Sequence, residues 1–158
     1  MKSIGIRVSP TAIRLAVISN ETGLIAMLNK SDGVENRLKF PTSCTTESEK
    51  LQWWYDELTR ILRQNPDIIA IGIKTSEFAG PRRESLSTRF TSHLDAISLL
   101  VASQTGVPVY GFVYVQLKVS SRLVRTRAEE LVGKLPQYWD DQISDAIVAG
   151  ESVLRIKS

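Results

Sequence analysis

The chain has 158 residues, 42 % hydrophobic and 23 % charged, which is the composition of an ordinary globular domain and excludes a disordered or low-complexity protein. Its formal net charge of +3 permits nucleic acid as a partner without requiring it. No apolar run approaches the roughly 18 residues of a bilayer span, no signal-peptide pattern opens the chain, and the single cysteine, Cys44, has no internal partner, so a cytoplasmic location is expected.

Ile4-Gly5-Ile6-Arg7-Val8 alternates with the period of a strand, and Ser9-Pro10 turns the chain. Ala12 to Ile18 reads as a second strand and Leu24 to Leu28 as a third. Such short connections predict an antiparallel meander, since parallel neighbours need a long crossover. Residues 29–44 are polar, with Gly33 and Pro41, and read as a loop with at most an edge strand.

Thr46 to Glu49 matches a capping box, and Leu51, Trp54, Leu58, Ile61 and Leu62 then form one helical stripe, stopped by Asn65-Pro66. Asp67 to Ile73 is an apolar, β-branched run of the kind buried on both faces of a parallel sheet. A helix is expected from about Arg83 to Gln104, with Leu86, Phe90, Leu94, Ile97 and Val101 inward and Gly106 as its stop. A short strand at 109–112 follows, then a basic helix over about 120–132. A last helix over about 139–155 buries Ile143, Ala146, Ile147, Gly150 and Leu154.

Right-handed crossovers place the fourth strand beside the first. The expected fold is α/β and ribonuclease-H-like: one domain over residues 1–158, with a five-stranded mixed sheet of order 3-2-1-4-5 and helices on both faces.

Three segments then resemble the RuvC family of Holliday-junction resolvases. They are Ile4 to Pro10, Ile71-Gly72-Ile73-Lys74, and Leu135-Pro136 followed by Asp141 to Ala149. The segment Lys74-Thr75-Ser76-Glu77-Phe78-Ala79-Gly80 also resembles one found in uncharacterised bacterial proteins. The resemblance implies clustered carboxylates holding two metal ions about 4 Å apart. This chain departs from that pattern: Arg7 and Lys74 stand at the first two acidic positions, Asp145 matches the last, and Gln142 replaces another with Asp141 beside it.

Strand parity puts Arg7 and Lys74 on one face, with Gly5 and Gly72 and opposite the isoleucines. Two such cations about 5 Å apart repel by about 1 kcal/mol in water and about 3 kcal/mol at an effective dielectric near 20. They call for an anion, either Asp141 and Asp145 from the last helix or a nucleic-acid phosphate, and they repel Mg2+ or Mn2+.

The leading expectation is a non-catalytic RuvC-like domain with a vestigial site at Arg7, Lys74, Asp141 and Asp145. It would need no cofactor and would bind structured DNA or RNA, or a protein partner. Its phosphate contacts would come from Arg82, Arg83, Lys118, Arg122, Arg125 and Arg127. One alternative is a divergent endonuclease using Asp141, Asp145 and Glu77 with Mg2+ or Mn2+. Another is a structural module or homodimer, for which the apolar long helix from about Arg83 and an exposed Trp53 are the hints. His93 reads as a partly exposed helix-flank residue, Cys44 as a spectator, and Asp140 and Glu151 as surface charge. No Gly-rich phosphate loop follows any strand.

Overall fold

The computed structural model describes residues 1–30, 36–77 and 85–158. The meander is β1 (Lys2–Val8), β2 (Ala12–Ser19) and β3 (Ala26–Met27). A short β4 (Arg37–Lys39) and helix α1 (Glu47–Gln64) follow, then β5 (Ile68–Lys74), α2 (Leu86–Thr105) and β6 (Val109–Phe112). The chain closes with α3 (Tyr114–Leu117), α4 (Val124–Val132) and α5 (Asp141–Lys157).

The sheet runs β3-β2-β1-β5-β6, with β2 antiparallel to β1 and with β5 and β6 parallel to it. This is the expected order with one strand more. The third strand is shorter than its apolar run because the Asn29 side chain replaces the ladder: its Oδ1 accepts from Val17 N at 2.9 Å and its Nδ2 donates to Leu15 O at 2.9 Å. The other end of the β2 edge is thereby left to β4, which pairs with it from Ala12↔Lys39 to Arg14↔Arg37. Five strands become six.

Each face carries its own core. Ile4, Ile6, Ile13, Leu15, Ile71 and Ile73 pack against Trp54, Leu58, Phe90 and Leu94 of α1 and α2. Ala16, Ile18 and Ala70 pack against α4 and α5 through Val124, Ala128, Ile147 and Val153. Helix α1 begins as its sequence dictates, with Thr46 and Glu49 forming a reciprocal capping box.

Helix α2 starts later than its pattern suggested, capped by Ser85, so Leu86 sits outside the core at 77 % exposure. The basic helix expected over about 120–132 is α4, which starts later, at Val124, and is preceded by the short α3, ended by Lys118 in the left-handed region at φ 55°. Trp53 is half-buried with its ring edge-on to Phe40 at 5.4 Å, so it is not the exposed aromatic that an interface would offer.

The contact that positions the site is that of α5 against β1 and β5. A Cβ on Gly5 would lie 1.7 Å from Ala146 O, and one on Gly72 would lie 2.3 Å from Ala149 O. Glycine at both positions lets the helix backbone rest directly on the sheet. That closeness brings the first turns of α5 over the carboxyl ends of β1 and β5.

Candidate functional site

The parallel register, Ile6↔Ile73, sets Arg7 beside Lys74. The antiparallel registers continue the line, Arg7↔Arg14 and Arg14↔Arg37. Four adjacent strands therefore carry a row of cations, Lys74, Arg7, Arg14 and Arg37, on the α5 face. Like charges opposite one another on a sheet are destabilising, so the row exists only with compensation.

Most of the compensation is internal. Arg7 Nε lies 3.2 Å from Asp145 Oδ2, and Arg7 Nη1 donates to Lys74 O at 3.1 Å and Ser76 Oγ at 3.4 Å. Lys74 is fully buried, with Nζ donating to Glu77 Oε2 and Thr75 O, each at 2.8 Å, and lying 4.0 Å from the Tyr114 ring centroid. The Tyr114 hydroxyl donates to Asp145 Oδ1 at 2.9 Å, and the Tyr114 amide donates to Glu77 Oε1 at 3.3 Å. Arg14 pairs with Asp140, whose other oxygen caps α5 by accepting from Ile143 N at 2.9 Å.

Burial shapes the titration of these groups. Desolvation pushes the Asp145 carboxyl up to about 6, against the opposing pull of the Arg7 charge. It also raises the Tyr114 hydroxyl, helped by the Asp145 charge. Asp95 on α2 is pushed up to about 6 for the same reason, although the Ser76 amide, Arg7 and Lys74 pull it down. Its Oδ1 is buried without a hydrogen-bond partner among the described residues.

Several sequence-derived assignments change. Asp141 does not join Arg7 or Lys74; it is exposed and pairs with Arg125, Nε to Oδ1 at 2.5 Å. One turn before Asp145 and at the helix start, its side chain points toward α4. Glu77 lies exposed in the loop after β5 and pairs there with Lys74 rather than joining an acidic cluster. Glu151, expected on the surface, is buried between Arg127 and Arg155. Of the six basic residues, Lys118 and Arg122 are exposed and make no ion pair among the described residues, whereas Arg125 and Arg127 are already paired. Arg82 and Arg83 lie outside the described residues. His93 is exposed, as read.

Asp95, Tyr114, Arg14, Arg37 and Tyr138 were missed. No short motif joins them, because each reaches the site from a different element. Alternation along β2 and β4 does place Arg14 and Arg37 on one face, and that is the signal that offered them.

The donor set does not suit a pair of divalent metal ions. Among the described residues no three Asp, Glu, His or Cys side chains converge to hold a cation. Asp145, Glu77 and Asp141 each face a different cationic side chain. A polar pocket of about 390 Å3 opens beside Arg7, lined by Ser9, Ser76, Glu77, Thr88, Thr91 and Gln142 among others. Among the described residues no helix is long and apolar enough to cross a membrane.

No protein-family model matches the chain, and no curated protein matches it significantly. Among solved structures it is similar to Thermus thermophilus RuvC in complex with Holliday junction substrate, at 18 % identity and a TM-score of 0.75, covering 99 % of this chain and 96 % of that one. It is likewise similar to a second Thermus thermophilus RuvC structure, at 16 % identity and a TM-score of 0.75, covering 99 % and 97 %. The likeness shows the fold, which is RuvC-like and ribonuclease-H-like.

Proposed function

We propose that this chain is a cytoplasmic, non-catalytic RuvC-like domain that binds structured nucleic acid through phosphate contacts. The observation that carries the reading is the pair Lys74 and Arg7 at the ends of β5 and β1, where the RuvC resemblance implies metal-binding carboxylates. A two-metal mechanism needs clustered negative oxygens. Here the nearest carboxylates, those of Asp145 and Glu77, are taken up by guanidinium, ammonium and phenol donors. The endonuclease alternative would require Asp141, Asp145 and Glu77 to converge, and each serves a separate cation instead.

Nucleic-acid binding is supported by the similarity to a RuvC solved with a Holliday junction and by the exposed Lys118 and Arg122 on the α5 side of the sheet. Arg82 and Arg83 extend the proposal. Phosphate contacts release counterions, so binding should weaken steeply with salt.

The test is fluorescence anisotropy with a four-way junction and a duplex over a salt titration, with Mg2+ present to monitor strand cleavage. Binding that falls linearly in log salt, without cleavage, is the expected result. No affinity at low salt overturns the binding reading, and cleavage abolished by Asp145→Asn overturns the non-catalytic one.

A further inference from the structure

Tyr138 stands out by conformation and by place. Its φ of 55° lies in the left-handed region, which side chains other than glycine rarely adopt, and it sits just before Asp140, the cap of α5. Its ring covers the end of the cation row, 4.7 Å from the Arg37 guanidinium carbon and 5.8 Å from that of Arg14. The residue is nevertheless 49 % exposed, so about half of it remains accessible beside the two cations.

Among the described residues the charge beneath the ring is not fully answered. Lys74, Arg7 and Arg14 each meet a carboxylate, that of Glu77, Asp145 and Asp140 respectively. Arg37 meets none among the described residues, and its only contact of this kind is the Tyr138 ring. Arg14, 4 % exposed, keeps Nε and Nη1 buried without hydrogen-bond partners among the described residues, and Arg37 Nε is in the same condition. Buried guanidinium donors left open in this way are costly, which fits a place built to receive an anion.

We propose that Tyr138, Arg37 and Arg14 form a binding site for an unpaired nucleotide, with the base stacked on the accessible part of Tyr138 and its phosphate taken by Arg37. The inference rests on the nucleic-acid reading above and names which part of a structured nucleic acid is recognised. Aromatic stacking is tolerant of sequence because every base has a π-face, and an arginine beside the ring supplies the phosphate contact. A ring fixed between two cations and a constrained backbone loses little freedom when a base lands on it. An acidic peptide would use the charge of Arg37 but would leave the accessible part of the ring without a planar partner.

The experiment compares a labelled oligothymidine of about a dozen nucleotides with a duplex of the same length, using the full chain at low salt. Tyr138→Ala is expected to weaken the single strand about tenfold or more while leaving the duplex within about twofold. Tyr138→Phe, which keeps the ring, should match the native protein. Arg37→Ala should weaken the single strand and flatten its salt dependence by roughly one phosphate contact.

Equal losses on single strand and duplex, no loss in Tyr138→Ala, or a loss in Tyr138→Phe as large as in Tyr138→Ala would each overturn the site and leave the parent reading standing. A native protein that binds the duplex and junction but not the single strand also removes the site alone. A native protein that binds none of the three removes both.

Discussion

The Arg7 guanidinium lies against the Asp145 carboxylate, Nε to Oδ2 at 3.2 Å, and ties the end of β1 to the second turn of α5. The contact is too bent for a hydrogen bond, so its attraction is electrostatic, and Asp145 takes its hydrogen bond from Tyr114 instead. A carboxylate gripped by a cation and a phenol has little left for a metal ion. Reversing the two sheet cations should reopen the place. In Arg7→Asp combined with Lys74→Glu, new carboxylates would join Asp145 and Asp95, and calorimetry with Mn2+ should show binding together with a metal-dependent rise in Tm. The native protein should show neither. Tight binding of two ions by the native protein would defeat the closed-site reading.

Asp95 gives a prediction in pH. Its folded value, near 6, is above the ordinary 3.8, so between those values the folded state binds more protons than the unfolded one. Stability from this group is therefore present below about pH 4 and lost as pH rises through about 6. Asp95→Asn mimics the protonated acid. It should be more stable than the native protein at pH 8, by on the order of 1–2 kcal/mol after allowance for partial exposure, with the difference closing toward pH 4. Denaturant melts at several pH values test this. A variant less stable at pH 8 than at pH 4, relative to native, reverses the assignment.

Much of the fold was legible because local signals agreed with one another. The capping box at Thr46, the stripe through Trp54 and Leu58, and the β-branched run into Ile73 each specify one element, and the connection lengths fix the strand order. β4 was legible only as the edge strand that residues 29–44 allowed, because three residues, Arg37–Lys39, carry too short a pattern to fix its bounds or its pairing with β2. In the site, Arg7 and Lys74 could be placed from strand parity, and Asp145 from its position on α5. Asp141 could not be separated from Asp145 by spacing, since residues four apart share a helix face. What separates them is Arg125, an exposed competitor on another helix that drew Asp141 away. Asp95 and Tyr138 enter from elements that carry no motif.

The helix–sheet contact should be intolerant of a single methyl group. Gly72→Ala puts a Cβ 2.3 Å from Ala149 O and 2.8 Å from a Val153 methyl carbon, and neither backbone can yield without lifting α5. We expect a loss of about 3 kcal/mol or more, read by chemical denaturation. Gly111→Ala is the control: its nearest neighbour would be a Thr75 methyl at 3.4 Å, ordinary contact, and stability should change little.

On the opposite face, the Trp54 indole N–H donates to Ser98 Oγ at 2.9 Å, and both residues are fully buried. Ser98→Ala removes the acceptor while leaving the donor out of reach of water. The expected cost is about 1–3 kcal/mol, the penalty of an unsatisfied buried polar group. A loss below a few tenths of a kcal/mol would mean that the indole finds another partner.

The remaining prediction concerns which basic residues face phosphate. Lys118 and Arg122 are exposed with no ion pair among the described residues, whereas Arg125 and Arg127 already answer Asp141, Glu130 and Glu151. A cation held by a carboxylate releases fewer counterions on meeting DNA, because part of its charge is neutralised beforehand. Lys118→Ala with Arg122→Ala should therefore lower affinity for duplex and junction alike and reduce the slope of log K against log salt by up to about two contacts. Arg63→Ala, an exposed position on α1 across the sheet, should leave that slope unchanged. If the Arg63 variant lowers the slope as much as the double variant, the charge acts as a diffuse field rather than through the α3–α4 surface, and the proposed interface moves.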